Sequence, residues 1–148
     1  MEVKKAFKIF RYPATVTWSA ARRGKAGAPG KPEIEVGSPP EFRGEEGVWS
    51  PEHLLVNSLN TCLMLTFLAL AERRGLEIAS YESQAEGLLE NVDGRYRITS
   101  VSVRPKVVLK SAAGLENARE IMGKVEENCF VSNSITSKVD LQAEISVA

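Results

Sequence analysis

Histidine and cysteine are scarce in this chain, with one histidine and two cysteines among 148 residues. So few cysteines exclude the disulfide framework with which small secreted domains compensate for thin cores. The single His53 supplies no partner ligand, and Cys62 and Cys129 stand too far apart in sequence to make a metal-ligand pattern. Net charge is missing too: 19 Lys and Arg balance 19 Asp and Glu, interspersed along the chain. Such a surface offers no global field to recruit nucleic acid or an anionic membrane. The densest apolar run, Cys62–Ala71, falls well short of the roughly 20 residues a membrane helix needs. The opening MEVKKAFKIFRYP carries charges but no long apolar core and no small-residue cleavage site, so no signal peptide is expected. Repeats and low-complexity tails are absent as well. A single domain spanning 1–148, soluble and cytoplasmic, is the simplest expectation.

What is present reads as strands and two helices. VKKAFKIF and PATVTWSA look like short strands separated by Arg11–Tyr12–Pro13. ARRGKAGAPGKP reads as a glycine- and proline-rich loop, EIEV as a short strand, and GSPPEFRGEEG as another loop. The clearest element follows. Ser50 suits an N-cap, Pro51 the first helical position, and Glu52 the positive end of the helix dipole. Arg73 and Arg74 fall in the last turn, and Gly75 sits where a left-handed residue is wanted. A helix of about 23 residues is framed at both ends. Its second half is apolar nearly all round, which calls for cover on several sides.

Beyond it, LEIASYESQAEGLLE and RYRITSVSVRPKVVLK are expected to pair through the Asp-Gly turn in NVDG, with Pro105 marking a bulge or an edge. GLENAREIMGKVEENC reads as a second helix with Leu115, Ala118, Ile121, Met122 and Val125 on one face. KVDLQAEISV alternates as a half-buried strand. Runs of strands with two helices argue for an α+β fold. One sheet cannot cover every side of the long helix, so a second subunit is the natural cover.

The cysteines carry two readings. Free cysteine packs well as a small hydrophobe, so Cys62 within NSLNTCLMLTFLAL and Cys129 within EENCFVSNS can be inert core. A reactive cysteine instead needs help to ionise, because burial raises a thiol pKa already near ~8.5. An arginine is a natural helper in a dry site, and a carboxylate can orient it through a two-point pair. Arg22 in WSAARRG and Glu52 in SPEHLL supply those types, with Arg23 competing for the arginine role. His53, in the first turn, reads as a solvated surface residue. RRGKAGAPGKPE lacks the spacing of a phosphate-binding loop and reads as flexible.

Taken together, ARRG, then GVWSPEHLLVNSLNTCLMLTFLALAERRGLEI, then VEENCFVSNSI resemble the family of osmotically inducible protein C and the organic hydroperoxide resistance proteins. In that family a Ser/Asn-Pro-Glu motif opens a long central helix, with the peroxidatic cysteine ten residues after the glutamate; here Glu52 and Cys62 have that spacing. A second cysteine follows near the end of a later helix, usually as Cys-Pro-hydrophobic-Ser, and CFVS stands there with Phe130 in place of proline. This departure bears on whether Cys129 closes a disulfide. An arginine two residues before a glycine favours Arg22 over Arg23. TWSAARRGKAGAPGKPEIEVGSPPEF differs from the hydroperoxide-resistance branch, and the chain looks like a less typical member.

The resemblance implies antiparallel sheets packed around a long buried central helix, in an intertwined homodimer with its active site at the subunit interface. It also implies a thiol peroxidase for organic hydroperoxides, without metal or flavin. Cys62 would attack the peroxide and Cys129 would resolve the sulfenic acid as a disulfide. Arg22 would stabilise the thiolate and Glu52 would hold Arg22. An external dithiol would reopen the disulfide; dihydrolipoyl groups serve some members. Leu59, Met64, Leu65 and Phe67 stand equally as pocket lining or core. The alternatives are a dimeric stress-associated or small-molecule-binding module with little turnover, favoured by Phe130, and a structural protein with inert cysteines. On one helix, ten residues separate Glu52 from Cys62 by roughly 15 Å. Glu52 is therefore expected to serve Cys62 of the opposite subunit.

Overall fold

The structure, a computed structural model, describes residues 6–148. It divides into two compact units, one ending at Pro51 and one running from Glu52 to Ala148.

The first unit is a three-stranded antiparallel sheet of β1 (Thr15–Ala20), β2 (Arg23–Gly27) and β3 (Ile34–Gly37), in that order. Two expectations change here. The described part of the expected first strand, residues 6–10, has no regular structure; its remainder lies outside the described residues. The supposed loop ARRGKAGAPGKP instead contributes β2, the central strand, whose Gly24 and Lys25 pair with Trp18 and Thr17 on one side and with Val36 and Glu35 on the other. Small residues masked it, because a strand without alternating apolar side chains leaves no period-2 signal. The turn into β2 uses Ala21 at positive φ (49°), and Trp18 Nε1 donates to the Ala21 carbonyl at 2.9 Å. A 3-10 turn at Pro40–Phe42 interrupts the next loop.

The second unit holds the core. Helix α1 (Pro51–Arg73) has the 23 residues its end signals prescribe. It closes in a Schellman arrangement: Gly75 adopts φ 64°, Leu76 N–H donates to the Ala71 carbonyl (2.9 Å), and Gly75 N–H to that of Glu72 (3.0 Å). Cys62–Ala71 is thus part of a helix long and apolar enough to cross a membrane by length and composition, with a mean hydropathy of 1.8. Leu59, Leu63, Phe67 and Ala71, four residues apart, are nevertheless buried against the chain's own sheet as one stripe. Leu65 (56% exposed), on the opposite face, and Leu55 (38%), one turn before Leu59, are left uncovered.

The sheet is built on two long strands, β4 (Ile78–Val92) and β5 (Arg95–Leu109), joined by Asp93 and Gly94 with both φ positive (51° and 84°). Such a pair of left-handed residues matches hairpin twist, as the Asp-Gly signal demands. Gly87 of β4 lies where a Cβ would meet Val56 Cγ2 of α1 at 2.6 Å, so glycine lets the strand approach the helix.

The C-terminal alternation yields two strands, not one: β6 (Lys138–Leu141) and β7 (Glu144–Val147), both parallel to β5. The sheet is mixed where antiparallel pairing alone was expected. Pro105 marks no bulge in the pairing with β4, but stands at a local gap on the other side of β5. Its register with Ser83 is unbroken, and the shifts in β4–β5 pairing fall at Ile78/Ser80 and Leu88/Leu89. The Val103 and Leu109 carbonyls accept from Gln142 and Ala148 N–H, so the odd-numbered backbone groups of this stretch face the parallel side. Pro105 shares that phase and falls between the end of β6 pairing at Val103 and the start of β7 pairing at Lys106. Without an N–H, proline leaves the parallel ladder interrupted there. The expected second helix is broken at Gly123–Lys124 into α2 (Leu115–Met122) and α3 (Val125–Asn128). Its predicted face still holds: Ala118, Ile121, Met122 and Val125 are buried, and Leu115 packs against them.

Candidate functional site

Helical geometry puts Cys62 one residue from Leu63 and three from Leu59, at the border of the buried stripe, where it is half-buried. Cys129 follows α3 in extended conformation (φ −83°, ψ 116°) and is fully buried within the core. The two residues approach from different elements and pack in the same core cluster, with the Cys129 thiol near enough to Cys62 to favour its thiolate. Both are free thiols. Phe130 in place of proline does not turn Cys129 away.

The segment after Cys129 folds into a tight turn. Asn133 N–H donates to the Cys129 carbonyl (3.0 Å), Ser134 N–H to that of Val131 (3.0 Å), and Ser134 Oγ to that of Phe130 (2.7 Å). The same turn directs Ser132 N–H to Cys129 Sγ (3.4 Å), and the Val131 and Phe130 amides lie near enough to Cys62 to favour its thiolate.

Electrostatics separates the two thiols. Burial opposes ionisation of Cys62, but the Cys129 thiol, the Val131 amide, the Thr66 hydroxyl and the Phe130 amide together outweigh it and bring its pKa below the ordinary thiol value. For Cys129, burial and the hydrogen bond it gives to Cys62 push the pKa up to about 11. Cys62 ionises first, and the protonated Cys129 is its donor.

Of the other expected residues, Glu52 stands in the first turn of α1. Because α1 is uninterrupted, Glu52 lies roughly 15 Å along the axis from Cys62 of its own chain. Its Oε2 is buried without a hydrogen-bond partner among the described residues. In the first unit, Arg23 is forked between Glu35 (2.7 Å) and Glu45 (2.9 Å), whereas Arg22 Nη1 donates to the Phe42 carbonyl (2.7 Å). Arg23 is thus held in surface ion pairs within the first unit. His53 is exposed. Leu59 and Phe67 are core residues, Met64 is half-buried and Leu65 is exposed.

Thr66 is the residue the sequence reading did not single out. Its Oγ1 donates to the Cys62 carbonyl at 2.7 Å and is also within hydrogen-bonding reach of the sulfur. The available signal was its place four residues after Cys62, one helical turn on.

The comparisons with known proteins agree with this architecture. The family described as OsmC-like protein matches residues 44–144, a span that includes Glu52, Cys62 and Cys129. The chain belongs to that family. It is similar to a Bacillus subtilis (strain 168) protein described as "Uncharacterized protein YmaD", 31% identical over 115 residues, covering 76% of this chain and 77% of that one. Among solved structures, an OsmC-like protein of unknown function from Vibrio cholerae superposes with TM-score 0.84 at 27% identity, covering 91% of this chain and 99% of that one. An organic hydroperoxide resistance protein from Elizabethkingia anophelis superposes with TM-score 0.74 at 17% identity, covering 95% and 99%, and shows a shared fold.

Proposed function

We propose that this protein is a thiol peroxidase that reduces organic hydroperoxides through Cys62 and Cys129. The observation that carries the reading is the pairing of two free thiols in one core cluster, a half-buried Cys62 favoured as the thiolate and a buried Cys129 favoured as the thiol. Cys62 thiolate attacks the terminal peroxide oxygen, the O–O bond breaks, and the departing alkoxide takes a proton to leave as alcohol. Cys62 is left as a sulfenic acid. The Cys129 sulfur then attacks it, and water leaves as the Cys62–Cys129 disulfide forms. An external dithiol, such as a dihydrolipoyl group, reduces that disulfide by thiol–disulfide exchange.

In this reading Arg22 stabilises the thiolate and the charge developing on oxygen, and Glu52 orients Arg22. The working unit is a homodimer with the site at the subunit interface. Two features support it: the unbroken helix that keeps Glu52 far from its own Cys62, and the exposed Leu55 and Leu65. An antiparallel pair of such helices about a two-fold axis would bring each Glu52 toward the partner's Cys62.

The test is peroxide consumption by cysteine variants. Cys62→Ser should abolish it, whereas Cys129→Ser should spare the first turnover and block recycling by a dithiol. Undiminished steady-state turnover in Cys129→Ser removes Cys129 from the mechanism.

A further inference from the structure

We propose that the Trp18 indole is a positioning residue for Arg22, clamping the turn from which that guanidinium is presented. The proposal deepens the peroxidase reading and rests on Arg22 being the arginine that stabilises the thiolate. It adds a residue which that reading does not use. Every contact in the argument lies within the first unit.

The turn needs a clamp. β1 and β2 are joined by Ala21 and Arg22 alone. Two-residue hairpin turns with positive φ at their first position favour glycine there, because a Cβ is strained in that conformation. Ala21 nevertheless occupies it, at φ 49°. The register also slips between Trp18 and Ala20, so β1 is irregular directly before the turn. Trp18 Nε1, the one polar donor of its side chain, spans this stretch and donates to the Ala21 carbonyl at 2.9 Å. Such a bond is comparable in size to the strain it offsets. Trp18 is 78% exposed, so burial within its own chain does not account for a tryptophan on this strand.

What the turn presents is Arg22. Ser38 N–H donates to the Arg22 carbonyl (3.4 Å), and Arg22 Nη1 donates to the Phe42 carbonyl (2.7 Å). The receiving loop is itself tight. Phe42 and Gly44 N–H both donate to the Pro39 carbonyl (2.9 and 3.1 Å), and a Cβ on Gly44 would collide with the Ser38 carbonyl oxygen. Among the described residues Arg22 forms no ion pair, in contrast to Arg23 between Glu35 and Glu45. One guanidinium N–H is engaged by a neutral carbonyl, so the positive charge and the remaining donors are left for an anion. With the Trp18 bond removed, the strained turn relaxes and Arg22 leaves the Phe42 carbonyl for part of the time.

Nitrogen-15 relaxation of the arginine side chains, measured on the reduced full-length protein without peroxide, reads the clamp directly. Trp18→Phe keeps a ring and removes the N–H. It should lower the heteronuclear NOE of Arg22 Nε and leave that of Arg23 unchanged. The first turnover with cumene hydroperoxide should slow about two- to tenfold, the range one neutral hydrogen bond covers. Ala21→Gly removes the strain, so the double variant Trp18→Phe, Ala21→Gly should return both quantities toward wild type. A general loss of folding would not be repaired by a second substitution. An unchanged Arg22 NOE in Trp18→Phe, or a double variant no better than Trp18→Phe, overturns the proposal. A lowered and rescued NOE in a protein that consumes no peroxide upholds the clamp and overturns the peroxidase reading. The same NOE pattern with full peroxide turnover in Trp18→Phe upholds the clamp and removes Arg22 from the chemistry.

Discussion

Thr66→Val keeps the shape of a buried-edge side chain and removes one hydroxyl. In the folded protein that hydroxyl donates to the Cys62 carbonyl at 2.7 Å and lies in reach of the Cys62 sulfur. It has one proton, so stabilising a thiolate means giving up the bond to the carbonyl. A hydrogen bond to a charged acceptor contributes about 1.5–3 kcal/mol and a neutral one about 0.5–1.5 kcal/mol. The net gain for the thiolate is then on the order of 1 kcal/mol, toward the lower end because Cys62 is only half-buried. At about 1.36 kcal/mol per pKa unit, the Cys62 midpoint should rise by roughly 0.7 unit in Thr66→Val. Well below the midpoint, the thiolate fraction and the alkylation rate should fall about fivefold. Stopped-flow alkylation between neutral and alkaline pH reads both quantities, with Thr66→Ser as the variant that retains the donor. Superimposable profiles for Thr66→Val and wild type, or an equal shift in Thr66→Ser, would show that the hydroxyl does not stabilise the thiolate.

Tyr81 buries its hydroxyl without a partner among the described residues, and burial pushes its pKa up to about 12. The protonated form is favoured in the folded state, so stability is full below the unfolded value near ~10 and falls as pH rises toward the folded value. Tyr81→Phe should remove that alkaline loss and raise stability at neutral pH by about 1 kcal/mol, seen by urea melts; a loss of stability would mean the hydroxyl has a partner. Gly87→Ala should cost about 1–3 kcal/mol, because the new Cβ meets Val56 Cγ2 at 2.6 Å; an unchanged melting curve would show that β4 shifts away freely. Mixing Glu52→Ala with Cys62→Ser protein, unfolding and refolding together, should restore about a quarter of wild-type activity, since about half the dimers are hybrids with one intact site. Hybrids that stay inactive would exclude a site shared between subunits.

Features written in local chemistry were legible in the sequence. The α1 boundaries follow from Pro51 and Gly75, and the hairpin from Asp93 and Gly94, because each residue type acts on its own backbone. Pairing partners were less so. Alternation in KVDLQAEISV shows that one face is buried, but it carries no information on strand direction, and both resulting strands run parallel to β5. β2 was hidden because RGKAG lacks large apolar residues. The split between α2 and α3 turns on one glycine within an otherwise helical pattern. The candidate site divides the same way: Cys62 and Cys129 were singled out by motif and spacing. Thr66, one turn beyond Cys62, and the amides of Phe130 and Val131 were not, because a backbone N–H has no sequence signature until the turn that aims it is seen.

In the proposed reaction Cys62 and Cys129 work as one dithiol pair. Intact mass of the fully reduced protein after one equivalent of cumene hydroperoxide, followed by denaturation and alkylation, tests it most directly. The expected product lacks two hydrogens, with the alkylatable thiols falling from two to none and both returning after a dithiol is added. A protein carrying an oxygen on Cys62 while Cys129 is still alkylated, or one in which both thiols are alkylated as before, would contradict it.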